Sequence, residues 1–382
     1  MSRLHPSEER AALDESVRRW CEDRTTAAAE PRFAAERWRE IAGFGWLAAV
    51  LDESAGGLGL SPSHASVIAE ALAPAASLEP FAAQLALGGW VLARARGGVA
   101  RDALLETWLA GESLVALADG DPAAPPWTSR PAFRGRRVGG DLLLDGEAPL
   151  ALDGMLASHC LLVVADEREA KALYVLPAAA LERVSRGALD GRAHASIRCA
   201  GVAAPDDARL EFDAGRDAVL AEAAWLHALC AAAESVGLLR AMLRASVVYL
   251  GQREQFGRAL IEFQVLQHRL VDMTLTLTRL ESLLEVARFK VDELGLLAAA
   301  PWIAAAKAAT GEEGRAVARA AVQLHGAIGL TAELALGRQL RRLTALELVA
   351  GTTAQHEAHW RATRDAQGVA TLPGVSLSAR GG

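Results

Sequence analysis

The chain has 382 residues, of which 52% are hydrophobic, and carries a formal net charge of -7. This length predicts two or three domains, and the acidic balance excludes the basic stripe of a nucleic-acid-binding protein. The polar N-terminus lacks the apolar core of a signal peptide, and no apolar run approaches the roughly 18–20 residues of a membrane span. We therefore predict a cytoplasmic protein that binds neither nucleic acid nor a membrane.

Residues 1–112 have the pattern of a helical domain. Charges mixed with spaced apolar residues predict surface helices at Glu8–Arg19 and Arg37–Ile41. A glycine-rich stretch then marks a loop, after which Ser61 is predicted to cap a further helix with Pro62 as its first residue.

Residues 113–216 have a different texture, with frequent prolines and glycines between short apolar runs. The runs predict strands at 141–145, 160–165, 172–176 and 209–212. A charged turn at Asp166–Lys171 separates the second strand from the third. Short strands at this spacing predict a small β-barrel or sandwich.

Residues 217–382 are strongly helical again. A heptad-like seam predicts a bundle of long, nearly antiparallel helices, and consists of Leu266, Leu270, Met273, Leu277, Leu280 and Leu284. Further helices are predicted at Pro301–Leu324 and Ala332–Leu346, followed by a loose tail from Gly368. The predicted fold class is mostly α with a central small β-domain: an N-terminal helical domain, a β-barrel or sandwich, and a C-terminal helical bundle.

Several common site motifs are missing from the sequence. It contains no nicotinamide-type glycine fingerprint, no phosphate-binding P-loop and no G-x-S-x-G elbow. The four cysteines lack metal-ligand spacing. His356 and His359 have the wrong spacing for H-E-x-x-H, and we expect them to be solvated near the C-terminus. No metal site is predicted.

Three segments in series carry a family pattern. The first is the glycine-rich loop at 51–61, and the second begins with R-E-Q-F-G at Arg253–Gly257 and continues to Met273. The third, Gln323–Arg342, opens with Q-L-H-G-A-I-G. In this order and spacing the segments resemble the flavin-dependent acyl-CoA dehydrogenase family over about residues 35 to 360.

The resemblance implies FAD as the cofactor and a C-terminal bundle of four helices. It implies that FAD is bound by Arg253, Gln255, Phe256, Gln264, Gln323, Gly326 and Thr352. A pyrophosphate needs positive charge, and an arginine can give it two parallel hydrogen bonds. Several of these residues would contact the FAD of a neighbouring subunit, which implies a homo- or hetero-oligomer, a dimer or tetramer.

The resemblance also implies α,β-dehydrogenation of an acyl-CoA thioester, in fatty-acid or steroid side-chain metabolism, with an electron-transferring flavoprotein as redox partner. In this family a carboxylate removes the α-proton. The two family positions for that carboxylate hold Ala350 and His227 here. A neutral imidazole titrates near working pH and could act as a base, but a histidine inside an apolar helix is more often a core residue. Glu222 and Glu347 are nearby carboxylates, and for Glu347 we expect packing or an ion pair.

The family's flavin-binding loop corresponds to Ala116–Ala124, where polar donors are sparse. We therefore prefer a subunit that lacks the carboxylate and works with a paralogous partner that supplies it. Three alternatives stay open. They are an active enzyme with His227 as its base, a flavin-dependent oxygenase or oxidase on the same fold, and a structural partner without flavin.

Overall fold

The computed structural model describes residues 8–22, 33–75, 77–120, 124–139, 141–165, 171–331 and 334–367. Several predicted features lie outside these residues. They are most of the turn at Asp166–Lys171, the helix start at Ala332, the middle of the flavin-binding loop and the tail from Gly368.

The N-terminal region is helical. Its helices are α1 (Glu8–Glu22), α2 (Ala35–Gly43), α3 (Ser63–Leu72), α4 (Phe81–Ala83), α5 (Trp90–Arg94) and α6 (Val99–Leu109). A π-helical segment, Gln84–Gly89, joins α4 to α5. Helix α3 is assigned from Ser63, but Pro62 already has helical backbone angles. The Ser61 hydroxyl accepts a hydrogen bond from the Ser63 N–H at 3.4 Å, as expected of the predicted cap.

One sheet forms the central region. Its strands are β1 (Val115–Ala118), β2 (Phe133–Val138), β3 (Asp141–Ala151), β4 (His159–Ala165), β5 (Lys171–Pro177), β6 (Glu182–Gly187), β7 (Ala193–Ala204) and β8 (Arg209–Leu210). The strand order is β6-β7-β3-β2-β4-β5-β8, and β1 pairs in parallel with β4. The sequence did not predict β1, β2, β6 or β7. Strands β2 and β6 lack a clear apolar pattern because they are rich in arginine and mostly exposed. The predicted strand 209–212 ends early, since Phe212 pairs with Ala95.

The C-terminal region is a bundle of long helices. It contains α7 (Arg216–Gln252), α8 (Gln264–Leu294), α9 (Ala300–His325), α10 (Leu336–Leu348) and α11 (Thr353–Gln367), with a hairpin of β9 (Glu254–Gln255) and β10 (Arg258–Ala259). The predicted seam on α8 is buried from Leu270 to Leu284, whereas Leu266 is partly exposed. By length and apolar composition α7 could cross a membrane, yet 78% of its most apolar window is buried inside the molecule.

Candidate functional site

A cavity of about 410 Å³ lies where the three regions meet. Helix α7 contributes Leu220, Ala224 and His227, whose spacing of four and three places them on one side of the helix. The end of α10 and the turn after it supply Thr344, Ala345, Leu348, Val349, Ala350 and Gly351. The opposite wall comes from β1, β3 and the loop between β6 and β7, while Leu87 of the π-helical segment reaches in from the N-terminal region. Residues distant in sequence therefore form one cavity, which is partly open to solvent.

The turn between α10 and α11 has an unusual backbone. Ala350 has φ 59° and Gly351 has φ 99°, and the left-handed region is uncommon for a residue with a Cβ. Two buried donors hold this turn. The Nε2 of His356 donates to the Ala350 carbonyl oxygen at 2.8 Å. The Lys307 Nζ donates to the carbonyl oxygens of Leu346 at 2.8 Å and Gly351 at 3.2 Å.

Thr352 closes this turn as the cap of α11. Its N–H donates to the Gln355 Oε1 at 2.9 Å, and the Gln355 N–H donates to the Thr352 Oγ1 at 3.3 Å. This reciprocal pair is a capping box. Thr352 lies between Gly351 and Gln355 in the chain, both of which line the cavity. It is thus the one residue of the seven predicted FAD-binding residues that lies beside the cavity.

His227 lines the cavity from α7 and is 4% exposed. Burial, followed by the positive charge of Arg342, lowers the pKa of His227 to about 3. Its ring nitrogens make no hydrogen bond to any residue that the structure describes. The neutral ring is therefore available to a ligand, but so low a pKa makes it a poor acceptor of a substrate proton at neutral pH.

Two carboxylates, Asp119 and Asp190, line the cavity within the described part of the chain. The Asp190 carboxylate accepts a hydrogen bond from Arg342 at 2.8 Å, and the charges of Arg342 and Arg192 outweigh desolvation and hold its pKa below the usual range. Burial raises the pKa of Asp119, but its Oδ1 already accepts hydrogen bonds from the N–H groups of Gly120 at 2.6 Å and Arg130 at 2.8 Å. Neither carboxylate is a free base.

Glu222 and Glu347, the other carboxylates considered from sequence, do not line the cavity. Glu222 pairs with Arg94 at 3.3 Å and accepts a hydrogen bond from the Trp90 indole. Glu347 forms an ion pair with Arg315 at 3.0 Å. Both side chains are therefore engaged in structural contacts.

A buried ion cluster supports the cavity from behind and joins two of the regions. The Arg342 guanidinium of α10 binds both carboxylate oxygens of Glu234 of α7, at 2.6 and 2.8 Å. It also binds Asp190 in the loop between β6 and β7. Arg192 lies 3.6 Å from Asp190 and 4.0 Å from Glu234. Two positive and two negative charges thus balance at the cavity wall.

Histidines of α11 contribute to an aromatic cluster beside the turn. Trp127 stacks on Trp225 at 4.3 Å, and the rings of His356 and His359 lie within 5.1 Å of Trp127. His356 is fully buried and His359 half-buried, so the prediction that both are solvated was wrong for His356. The reason is that α11 packs against α9. The three-residue spacing of the histidines could have indicated one shared side of a helix.

The other six predicted FAD-binding residues do not line the cavity. All are exposed, and they are Arg253, Gln255, Phe256, Gln264, Gln323 and Gly326. Phe256 is 90% exposed at the tip of the β9–β10 hairpin. The Tyr249 ring stacks on His325 at 4.6 Å, and this contact brings the end of α7 next to the end of α9. The second and third of the three segments that carry the family pattern are therefore close in space.

An outer groove of about 780 Å³ runs beside these two helix ends. Tyr249, Gln252 and His325 line it, together with the basic residues Arg18, Arg240 and Arg244. The exposed side chain of Arg244 makes no ion pair with a described residue. The groove therefore offers positive charge next to Arg253.

Exposed apolar side chains lie near the same end of the bundle. On α7, α8 and the hairpin they are Val247, Val248, Phe256, Val265, Val271 and Leu275, each between 41% and 90% exposed. We call this set the apolar patch of α7 and α8. So many exposed apolar side chains near one end of a bundle are typical of an interaction surface.

Comparison with known proteins gives a consistent result. The family model described as the N-terminal domain of acyl-CoA dehydrogenases matches residues 7–112, and the C-terminal domain matches residues 217–361. The acyl-CoA dehydrogenase FadE27 of Mycobacterium tuberculosis is 26% identical over 79% of this chain and 80% of its own length. The mitochondrial isovaleryl-CoA dehydrogenase of Oryza sativa subsp. japonica is 39% identical over 34% of this chain. That match spans 31% of the rice protein. The match to 3-sulfinopropanoyl-CoA desulfinase of Paraburkholderia xenovorans also spans 31% of that protein, so each of these two matches covers less than a third of the relative's length.

Solved structures share the fold. The ChsE4-ChsE5 complex from Mycobacterium tuberculosis has a TM-score of 0.81 and 20% identity over 96% of this chain and 99% of that one. PigA with FAD and proline has a TM-score of 0.84 and 20% identity, over 95% and 99%. These likenesses confirm the predicted fold class, mostly α with a central β-domain. The presence of FAD in the PigA structure agrees with the predicted cofactor.

Proposed function

Because the chain belongs to the acyl-CoA dehydrogenase family, we propose that it is a subunit without a catalytic carboxylate in a heteromeric FAD-dependent oxidoreductase. The complex would dehydrogenate an acyl-CoA thioester between its α and β carbons, and a paralogous subunit would supply the carboxylate. The observation that carries this proposal is that Ala350, which has no carboxylate, lines the cavity at one family position for the base. His227 at the other position is held neutral.

The residues present fit FAD at its pyrophosphate end. Arg253 is exposed, its side chain is without an ion pair among the described residues, and it lies close to the end of α9 and to the basic groove. Exposed positive charge and donors are what a pyrophosphate requires. Arg253, Gln255 and Phe256 lie away from the cavity of their own subunit, which supports binding to the FAD of a neighbour. Gln264, Gln323 and Gly326 would belong to the same site.

The cavity fits the flavin end less well. Much of its β-region wall is aliphatic, formed by Leu117, Leu150 and Leu152, with Thr128, Ser129 and His194 as its donor side chains. The aliphatic part provides no donor for the polar edge of a flavin. Thr352 and the turn before it are the polar groups on the other side. This imbalance supports a flavin site that a second subunit completes or strengthens.

In the proposed complex bound FAD would accept the hydride from the β carbon of the thioester. The chain's own residues bind and position the acyl group. The N–H groups of Ala350 and Gly351 make no hydrogen bond to a described residue, so they are available to a thioester carbonyl oxygen. The leucines of the cavity wall surround the hydrocarbon part and exclude water.

The apolar patch of α7 and α8 supports assembly with another subunit. Its exposed valines and Phe256 would be buried in an oligomer, which would also bring Arg253 to the neighbour's cofactor. The ChsE4-ChsE5 complex, which shares this fold, contains two different chains. An electron-transferring flavoprotein would reoxidise the flavin of the complex.

Co-expression tests the proposal. The chain is purified alone and together with a paralogue that carries Glu at the position equivalent to Ala350. We expect the pair to co-purify with FAD and to dehydrogenate an acyl-CoA in the presence of a redox dye, while the chain alone shows less than about 1% of that rate, in line with the contribution of a general base.

The controls separate this proposal from the alternatives. The paralogue with its Glu replaced by Gln should assemble but lose activity. Full activity of the isolated chain would overturn the proposal, and the His227→Ala and Asp119→Asn variants would then identify the base. Rapid oxidation of reduced flavin by O2 without the dye would indicate an oxidase or oxygenase instead.

A further inference from the structure

Two histidines from different regions line the cavity. His227 comes from α7, and His194 comes from β7 of the sheet. They are 4% and 9% exposed, so each is almost completely buried. The rest of the wall is largely hydrocarbon, with Leu87, Leu150 and Leu220 among its residues. The two buried imidazoles are polar members of this wall, along with residues such as Asp119, Thr128 and Ser129.

The hydrogen-bonding state of both rings follows from their contacts. The Nδ1 of His194 accepts the N–H of Asp153 at 3.0 Å, so in the neutral ring Nε2 carries the hydrogen. That Nε2 makes no hydrogen bond to a residue in the described ranges. Both nitrogens of His227 are also without such a partner, and a neutral ring provides one donor and one acceptor. Together the rings offer two donors and one acceptor.

The charges around the rings determine which ligand fits. Arg192 and Arg342 lie behind this wall and are balanced by Asp190 and Glu234. Burial lowers the pKa of both histidines, so neither ring adds a charge. The positive charges behind the wall are therefore paired, and the Asp153 carboxylate lies a further 3.7 Å from the His194 Nδ1. Free donors without free positive charge favour an uncharged oxygen over a carboxylate. The unpartnered nitrogens of the two rings are not sealed off from the cavity, so a ligand oxygen can form the hydrogen bonds that they lack.

We propose that His194 and His227 bind a hydroxyl or keto oxygen carried by the hydrocarbon part of the acyl thioester. The preferred substrate is thus an oxygenated acyl-CoA rather than a plain alkyl one. This inference rests on the proposed function, because it assumes that an acyl thioester occupies the cavity.

Binding of matched thioesters tests the inference. The probes are octanoyl-CoA and a series of hydroxyoctanoyl-CoA isomers in which the hydroxyl is moved carbon by carbon along the chain. Affinities are measured by titration calorimetry without an electron acceptor, on the full chain with its co-purified FAD and partner. We expect at least one isomer to bind about tenfold or more tightly than octanoyl-CoA, the gain of one to two good hydrogen bonds.

Variants assign the preference to the two rings. His194→Phe and His227→Phe keep a flat ring but remove its nitrogens, and each should reduce the preference to less than about threefold. His227→Gln keeps a donor and an acceptor and should restore part of it. His159→Phe is the matched control, since His159 is a partly exposed histidine of the same sheet that does not line the cavity.

The outcomes distinguish the two levels of the proposal. Equal binding of all thioesters to the unmodified protein, or a preference that survives in both Phe variants, would overturn the histidine inference alone. If no thioester binds, both the inference and the proposed function fail. Thermal melting of each variant, compared with His159→Phe, shows whether the fold is retained, and His227→Gln provides the measurement if a Phe variant does not fold.

Discussion

The Nε2 of His356 lies 2.8 Å from the carbonyl oxygen of Ala350, so an imidazole fixes the residue that we predict to occupy the family's base position. A carbonyl only accepts, and Nε2 must therefore carry the ring hydrogen. The other nitrogen, Nδ1, is then a buried acceptor without a partner among the described residues. Burial, with Lys307 nearby, lowers the pKa of His356 to about 3. The ring thus remains neutral and keeps donating at working pH.

Replacing His356 by Phe should loosen the turn. The variant keeps a flat ring in the cluster with Trp127 but leaves the Ala350 carbonyl without its donor. An unsatisfied buried acceptor costs about 1–3 kcal/mol, and urea denaturation should show a loss of that size. His356→Gln keeps a donor and should lose less. His359→Phe removes a ring of the same cluster without this hydrogen bond, and a loss as large as that of His356→Phe would contradict the assigned role.

The Ala350→Glu variant should gain the ability to remove the α-proton of an acyl-CoA. A carboxylate at this position would face an apolar cavity, and burial raises the pKa of a carboxylate toward the range that suits a base. We expect exchange of the α-protons of an acyl-CoA in D2O, followed by NMR, to accelerate by about 10²-fold or more. Ala350→Gln has the same shape without the base. Equal exchange in both variants, with the thioester still bound, would show that Ala350 is not at the base position.

The contact between Gly311 and Thr353 fixes how α11 packs on α9. A Cβ added to Gly311 would lie 2.2 Å from the Thr353 Oγ1. Gly311→Ala should therefore destabilise the protein by about 1–3 kcal/mol, as overpacking does. The double variant with Thr353→Ala should recover most of this loss, since the clash is with the hydroxyl. Gly251→Ala is the control, because a Cβ there has no neighbour within 4 Å. It should stabilise by about 0.5–1 kcal/mol. Equal losses in the single and double variants would refute the contact.

Arg342 should be the most sensitive member of the buried ion cluster. Arg342→Met leaves the carboxylates of Glu234 and Asp190 without their main partner. Removing one side of a buried ion pair costs about 3–5 kcal/mol. The double variant with Glu234→Leu removes the opposite charge and should be more stable than the single variant in urea denaturation. If the single variant loses no more stability than a surface pair such as Arg19→Met, the cluster does not stabilise the fold.

The sequence predicted the order of the three regions and the long helices, because apolar periodicity in these helices matches their burial. It did not predict β2 and β6, since arginine-rich exposed strands have no such periodicity. Ala350 and His227 were found through the family pattern, and both line the cavity. His194, Asp190 and Lys307 were missed, because only the tertiary fold brings them to the site. Their sequence surroundings carry no local signal.

Acid should destabilise the protein through its buried histidines. The pKa of His227 and of His356 is about 3 in the folded protein, below the value of roughly 6.5 in an unfolded chain. The folded state therefore resists protonation, and the stability is fully present above pH ~6.5 and is lost as the pH falls toward ~3. Each histidine contributes a slope of about 1.4 kcal/mol per pH unit in that window.

The measurement is the free energy of unfolding in urea at pH ~7.5 and at pH ~5, where each histidine should account for a loss of about 2 kcal/mol. This range stays above the unfolded pKa of carboxylates, so the buried Glu234 and Asp190, whose pKa values are lowered, do not yet contribute. The burial of Lys307 lowers its pKa to about 7, but this effect is common to all variants and cancels. His227→Phe should therefore lose about 2 kcal/mol less between the two pH values than the unmodified protein. Equal losses would mean that His227 becomes protonated in the folded state, so that neither burial nor the charge of Arg342 lowers its pKa as described.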